Sequence, residues 1–271
     1  TCPDDEPNEN PNQGSERNRL AVAAALLMAI HAVWGAATPA AIDLPFSENF
    51  PSPTLDPAWA VEVEPGNSIQ AKPGLIEFSA IPGSKAQIQR PLGRKTFRAS
   101  CQIRYGQTAA PVALRLFWDA SNYAQIGLNN EGRLCVREAL ATYPHDYDLG
   151  QFGAGSDAAH DWHAVAIELA ENCIRYLVSD DGINFECRHV SRRPERYAEA
   201  PKSLALGQES GMKLFPPGNP WIQPPASGPA GSCKVRNVQV SALPPKALQA
   251  SRSERDTILQ NESDSAGLRE L

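Results

Sequence analysis

The sequence has no Cys-x-x-Cys pair, which sets aside zinc ribbons and dithiol redox centres. It also has no cluster of lysine and arginine. Its 25 basic residues are outweighed by 31 acidic ones, giving a formal net charge of −6. A nucleic-acid binder would show a basic face, so nucleic acid is not an expected partner. There is no glycine-rich phosphate loop, no dinucleotide fingerprint and no Ser-His-Asp arrangement. Beyond Ile42 no convincing amphipathic helix stands out. These absences point away from nucleotide enzymes, triad hydrolases and helical bundles.

What is present begins with Arg17-Asn18-Arg19, an apolar run from Leu20 to Ile30, and then Gly35-Ala36-Ala37. Basic residues, an apolar stretch and small residues form a secretory signal peptide, with cleavage near Ala37 or Ala41. The acidic stretch ahead of it leaves two other readings open: Leu20–Ala37 as a short membrane anchor, or as a buried soluble helix. Signal peptide and anchor alike place the rest of the chain outside the cytoplasm, secreted or in the cell envelope.

From Ile42 the pattern turns short and alternating. Phe97, Ala99, Cys101, Ile103 and Tyr105 alternate with Arg98, Ser100, Gln102 and Arg104, so this strand has one buried and one wet face. Further strands are expected at 60–63, 75–78, 86–90, 113–118, 123–128, 133–137, 163–169, 173–179, 183–190, 203–206 and 234–240. Asp119-Ala120-Ser121-Asn122, Asn129-Asn130-Glu131-Gly132 and Asp180-Asp181-Gly182 supply hairpin turns between them. The pattern predicts an all-β antiparallel sandwich. Three segments result: residues 1–41, a polar tail plus signal peptide or anchor; 42–243, the sandwich; and 244–271, a disordered polar tail with a short helix near Lys246–Gln260. Of the six cysteines, five fall in the sandwich, either as small buried hydrophobes or with one bridge among them.

The stretches Leu114–Glu138, Asp161–Glu186 and Leu204–Gly211, with the closing strand Cys233–Val240 and the opening Phe46–Trp59, resemble sandwiches of the concanavalin A-like lectin/glucanase superfamily, of the bacterial accessory-domain type. The resemblance implies a two-sheet jelly roll and a lectin, a glycoside hydrolase or a non-catalytic module attached to polysaccharide enzymes. Retaining glucanases of this fold carry a Glu-x-Asp-x-Glu strand that sets two carboxylates at double-displacement distance. That strand is missing here. Glu62-Val63-Glu64 lacks the other acids, and Glu168 and Glu171 have the wrong period for one sheet face.

The densest functional cluster is Tyr143-Pro144-His145-Asp146-Tyr147-Asp148, in a segment expected to be a loop, with Glu138 at the preceding strand end. Aromatic faces beside carboxylates suit a sugar ring; the alternative is a loop packing on the sandwich edge. Trp118 and Tyr123 are expected to line the same groove. Asp119 and Asn122 are candidates for sugar or structural Ca²⁺ coordination, set against ordinary turn chemistry. His145, His160, His163 and His189 match no zinc spacing, and no other cofactor is expected. The expected partner is a glycan or polysaccharide. Three functions stand: an exported non-catalytic carbohydrate module; a glycoside hydrolase or lyase using an acid pair such as Glu138 with Asp146; and a structural or adhesive envelope protein.

Overall fold

The computed structural model describes residues 41–81, 84–105, 111–129, 132–140, 143–151, 161–208 and 230–267. The expected leader or anchor over Leu20–Ala37, and with it any membrane contact there, lies outside these residues.

Fifteen strands are described: β1 (Phe46–Glu48), β2 (Ala60–Val63), β3 (Ser68–Lys72), β4 (Leu75–Ala80), β5 (Ala86–Pro91), β6 (Phe97–Tyr105), β7 (Val112–Asp119), β8 (Asn122–Leu128), β9 (Arg133–Leu140), β10 (Tyr143–Gln151), β11 (His163–Leu169), β12 (Cys173–Ser179), β13 (Glu186–Arg192), β14 (Ser203–Gln208) and β15 (Gly231–Ser241). One helix, α1, spans Arg252–Gly267. The strands form two antiparallel sheets. The first runs β13-β12-β11-β6-β15-β4-β3, with β1 also on β15; the second runs β10-β9-β8-β7-β14-β5-β2.

The alternation in β6 is realised in full: odd residues are buried and even ones half-buried. The buried faces of both sheets meet in one core that includes Phe78, Phe97, Ile103, Leu114, Leu116, Ile126, Val136, Ile167, Tyr176 and Val235. Burying a Leu, Ile or Phe side chain stabilises by about 1.5–3 kcal/mol, so this shared core holds the sheets face to face. Midway along β15, its register with β6 shifts between Arg236 and Gln239, and Asn237 takes φ 51°. On the other side of β15, β4 pairs its first half and β1 its second. Gly207 in β14 has φ +115°, and a Cβ there would lie 2.4 Å from the Ala86 carbonyl oxygen, so only glycine fits.

Three strands lie where none was expected: β1, β3 and β10. The most consequential is β10, because it makes the Tyr143–Asp148 cluster a sheet edge instead of a loop. Residues 183–185 leave the expected strand and complete a turn instead. The Asp181 carboxylate accepts from the backbone of Ile183 and Asn184 and from Ser179 Oγ, and these donors hold it well below the usual carboxylate range. Within the polar segment after Leu243, α1 begins at Arg252 and ends at Gly267, shifted toward the C-terminus from the expected Lys246–Gln260, and packs on β13 instead of trailing free. Among the helix residues whose burial is described, only Ile258 is buried, and it joins a small cluster with Val190, Cys173 and Leu243. Cys101, Cys135, Cys173, Cys187 and Cys233 are all free thiols.

Candidate functional site

The end strands of the two sheets, β10 and β13, both line a cleft of about 380 Å³ whose rim includes Ile258, Asn261 and Glu262 of α1. Strand period places its contents. In β9, Leu134 and Val136 point into the core, so Glu138 does too. His145 lies opposite Glu138 across the β9–β10 ladder, and Tyr147 is two residues further along the same face. From the other sheet, Tyr176 of β12 lies opposite His189 of β13, and Ile174 opposite Ser191.

Glu138 is 5% exposed. Tyr176 donates its hydroxyl to Glu138 Oε1 at 2.6 Å, and Ser191 donates to the same oxygen. Burial outweighs these two donors and raises the carboxyl's pKa, favouring the neutral acid. The Tyr147 and His189 rings lie 4.1 Å apart between centroids. Burial, and next the Glu138 charge, push the Tyr147 phenol up to about 12. Burial pushes His189 down to about 4, so its imidazole is neutral at physiological pH. The His189 Nε2 is buried without a hydrogen-bond partner. The cleft therefore offers an aromatic wall, apolar sides from Leu140, Val190 and Ile258, and a neutral imidazole whose enclosed Nε2 has no partner.

The remaining candidates lie elsewhere. Trp118 is in the core, stacked on Tyr197 at 3.9 Å with its Nε1 donating to the Glu199 carbonyl. Tyr123 is 1% exposed on the opposite face of the second sheet, its ring 5.7 Å from Phe117. Asp119 and Asn122 close their own turn. Asn122 Nδ2 donates to both Asp119 oxygens at 2.8 Å, and the Ser121 amide donates to one of them. No group of three or more metal-ligating side chains occurs among the described residues. Tyr143 stands in β10 opposite Leu140.

The Glu138–Asp146 acid pair is corrected. Asp146 pairs in register with Arg137, and Arg137 binds its carboxylate through Nε and Nη2. Neighbouring residues of a strand point to opposite faces, so Glu138 and Asp146 are separated by the sheet itself. On that outer face, the described strands carry Glu62 at one edge and Asp146 and Asp148 at the other, with Arg115, Gln125 and Arg137 between them. Six strand spacings of ~4.8 Å separate Glu62 from Asp146 and Asp148 by roughly 29 Å, far beyond any glycosidase carboxylate separation. Asp146 and Asp148, two residues apart on one edge, are each bound by an arginine, Arg137 and Arg133 respectively. Glu62 is itself bound by Lys85, Gln87 and Gln89.

No protein-family model matches the sequence, and no curated protein matches it. Solved structures do resemble it. A variant of the GH43 protein BlXynB from Bacillus licheniformis superposes with a TM-score of 0.56 at 11% identity, covering 73% of this chain and 39% of that one. The β-glucanase of Bacillus licheniformis gives 0.53 at 12%, covering 73% and 98%. The laminarinase catalytic domain of Thermotoga maritima gives 0.55 at 12%, covering 76% and 100%. The chain thus spans about two fifths of the GH43 proteins it resembles. At these identities the likeness establishes the fold, a concanavalin A-like two-sheet sandwich.

Proposed function

We propose that this sandwich is a non-catalytic carbohydrate-binding module and that its ligand sits in the edge cleft. The observation that carries the reading is the convergence there of the Tyr147 face, the unpartnered His189 Nε2 and the buried Glu138. A sugar ring presents apolar C–H surface to an aromatic and hydroxyl groups to polar side chains. The fold shared with glucanases supports the same ligand class. A non-catalytic role is supported by the carboxylates. Glu138 accepts from Tyr176 and Ser191, Asp146 is on the other face, and Glu262 at the rim is paired with Arg192 at 2.8 Å.

Calorimetric titration with soluble β-1,3-glucan and β-1,3-1,4-glucan oligosaccharides tests this. Binding by the parent and a loss of about tenfold or more in Tyr147→Ala are expected. Absence of binding to either glucan would overturn the module reading, and sugar release abolished by Glu138→Gln would replace it with a hydrolase. Work outside the cytoplasm is part of the proposal, motivated by Leu20–Ala37. Mass spectrometry of protein recovered from cells is expected to find a start just after Ala37 or Ala41; a cytoplasmic, uncleaved product would refute it.

A further inference from the structure

The outward face of the first sheet holds an unbalanced pair of arginines. In β6, Ile103 and Tyr105 are in the core, so Arg104 points outward; in β15, Cys233 and Val235 are in the core, so Lys234 and Arg236 point outward. Lys234 lies directly opposite Arg104 in register, which makes Arg104 and Arg236 diagonal neighbours on adjacent strands. Trp162, just before β11, joins them. The Arg236 guanidinium carbon lies 4.0 Å from its ring centroid and that of Arg104 lies 4.9 Å away.

Elsewhere on this face each arginine is matched by a carboxylate. Glu168 takes Arg98 and Arg175, and α1 brings Glu254 to Arg175 and Glu262 to Arg192. Lys234 faces Glu77 at 3.7 Å, which Lys72 also binds. Among the described residues Arg104 and Arg236 have no such partner. Arg236 donates only to Gln102 Oε1, at 2.7 Å, and exposed Asp161 beside Trp162 pairs with neither. Burial and the like charge of Arg104 both act against the Arg236 cation. Two half-buried guanidiniums held together without a counter-ion gain most from an anion that takes hydrogen bonds from both forks.

We infer that Arg104, Arg236 and Trp162 form a second binding site, one that takes a carboxylate or sulfate group carried on a glycan. The forks bind the oxyanion, and the indole offers apolar contact to the carbons that bear it. Nucleic acids and anionic membranes are bound through many phosphate contacts over an extended basic surface. Here two unmatched guanidiniums stand on a chain of net charge −6, which fits one acidic group per ligand unit. This site goes beyond the cleft and does not depend on it.

The test uses the full chain with four probes: oligogalacturonate, a sulfated dextran oligomer, neutral β-1,3-glucan and free acetate or sulfate. Oligogalacturonate or sulfated dextran is expected to bind, with affinity falling about tenfold for each of Arg104→Gln and Arg236→Gln. Neutral glucan binding is expected to be unchanged in these variants, while Tyr147→Ala is expected to show the reverse pattern. Equal acidic-glycan affinity in the folded double variant, or no binding of either acidic glycan by the parent, overturns the site. Free anions binding as tightly as the oligomers, or a DNA duplex or anionic vesicles binding as tightly through the same arginines, overturns its assignment to a glycan. Failure of the cleft reading shows separately, as loss of the neutral-glucan arm alone.

Discussion

Replacing Arg175 with methionine is expected to lower stability by about 3–5 kcal/mol and to release α1 from the first sheet. The arginine is 7% exposed at its side chain, and its guanidinium is matched on every side. Its Nε and Nη2 reach the two oxygens of Glu254, its Nη1 reaches Glu168 at 3.3 Å, and its two amino groups also donate to the carbonyls of Ala247 and Gln249. Methionine keeps much of the volume and none of the donors. Glu168, 3% exposed, would then rely on Arg98 alone. Urea unfolding should show the loss, and proteolysis between Leu243 and Arg252 should accelerate. A variant as stable as the parent, with α1 still protected, would mean that Ile258 and the Arg192–Glu262 pair anchor the helix without Arg175.

The same contact has a pH signature. Its bonds to Arg175 hold the Glu254 carboxyl down to about 2. A carboxyl whose pKa is lower folded than unfolded stabilises above its unfolded value of about 4.3, and that stability is lost as pH falls toward the folded value. Release of α1 is therefore expected below about pH 4, progressively down to pH 2. In Glu254→Gln the acid-induced part of that release should be absent.

Strands were legible where period and turn chemistry agreed. β6, β11 and β12 have the expected limits because each is a run of alternating or continuous apolar residues that gives way in the sequence to small or polar residues. β10 was not legible: YPHDYDLGQ contains proline, a histidine, two aspartates and glycine. An edge strand tolerates such a sequence because one side of its backbone needs no ladder partner. α1 was legible only in part: a short helix near Lys246–Gln260 was expected, and the helix spans Arg252–Gly267. It is held by ion pairs and one buried isoleucine, so no apolar stripe marks its length. The candidate site was half legible. Glu138 and Tyr147 were singled out as a polar end and an aromatic, but β7 is buried almost throughout. In such a strand, period cannot tell which face opens to a ligand, and Trp118 could be placed in the groove as readily as in the core. His189, Ser191 and Tyr176 come from the other sheet, and only the pairing of β12 with β13 brings them to Glu138.

Glu138 offers the sharpest test of that assembled site, because its three natural replacements separate shape, hydrogen bonding and charge. Glu138→Ala is expected to cost about 3 kcal/mol. It removes the acceptor for the Tyr176 hydroxyl, which is fully buried, and leaves a void at the cleft floor. Glu138→Gln keeps the carbonyl oxygen that Tyr176 and Ser191 donate to, and removes only the capacity to ionise. Asp keeps the ionisable carboxyl but withdraws the acceptor by one methylene, so it is expected to resemble Ala more than Gln. Because burial raises the folded pKa of Glu138, the folded state binds more protons than the unfolded state above about pH 4.3. Parent stability relative to the Gln variant must therefore fall as pH rises through that window, and the difference levels off once pH passes the folded pKa. Thermal unfolding of parent and Gln variant from pH 4 to 8 should converge at the acid end and separate toward the neutral end, with Gln the more stable. His189 pulls parent stability the other way below pH 6.5, since its neutral ring must charge, but it does so equally in both proteins and cancels in the difference. If the parent matched or exceeded the Gln variant at pH 8, the carboxylate would be favoured where it sits. The cleft would then present a negative charge to its ligand instead of a neutral acid.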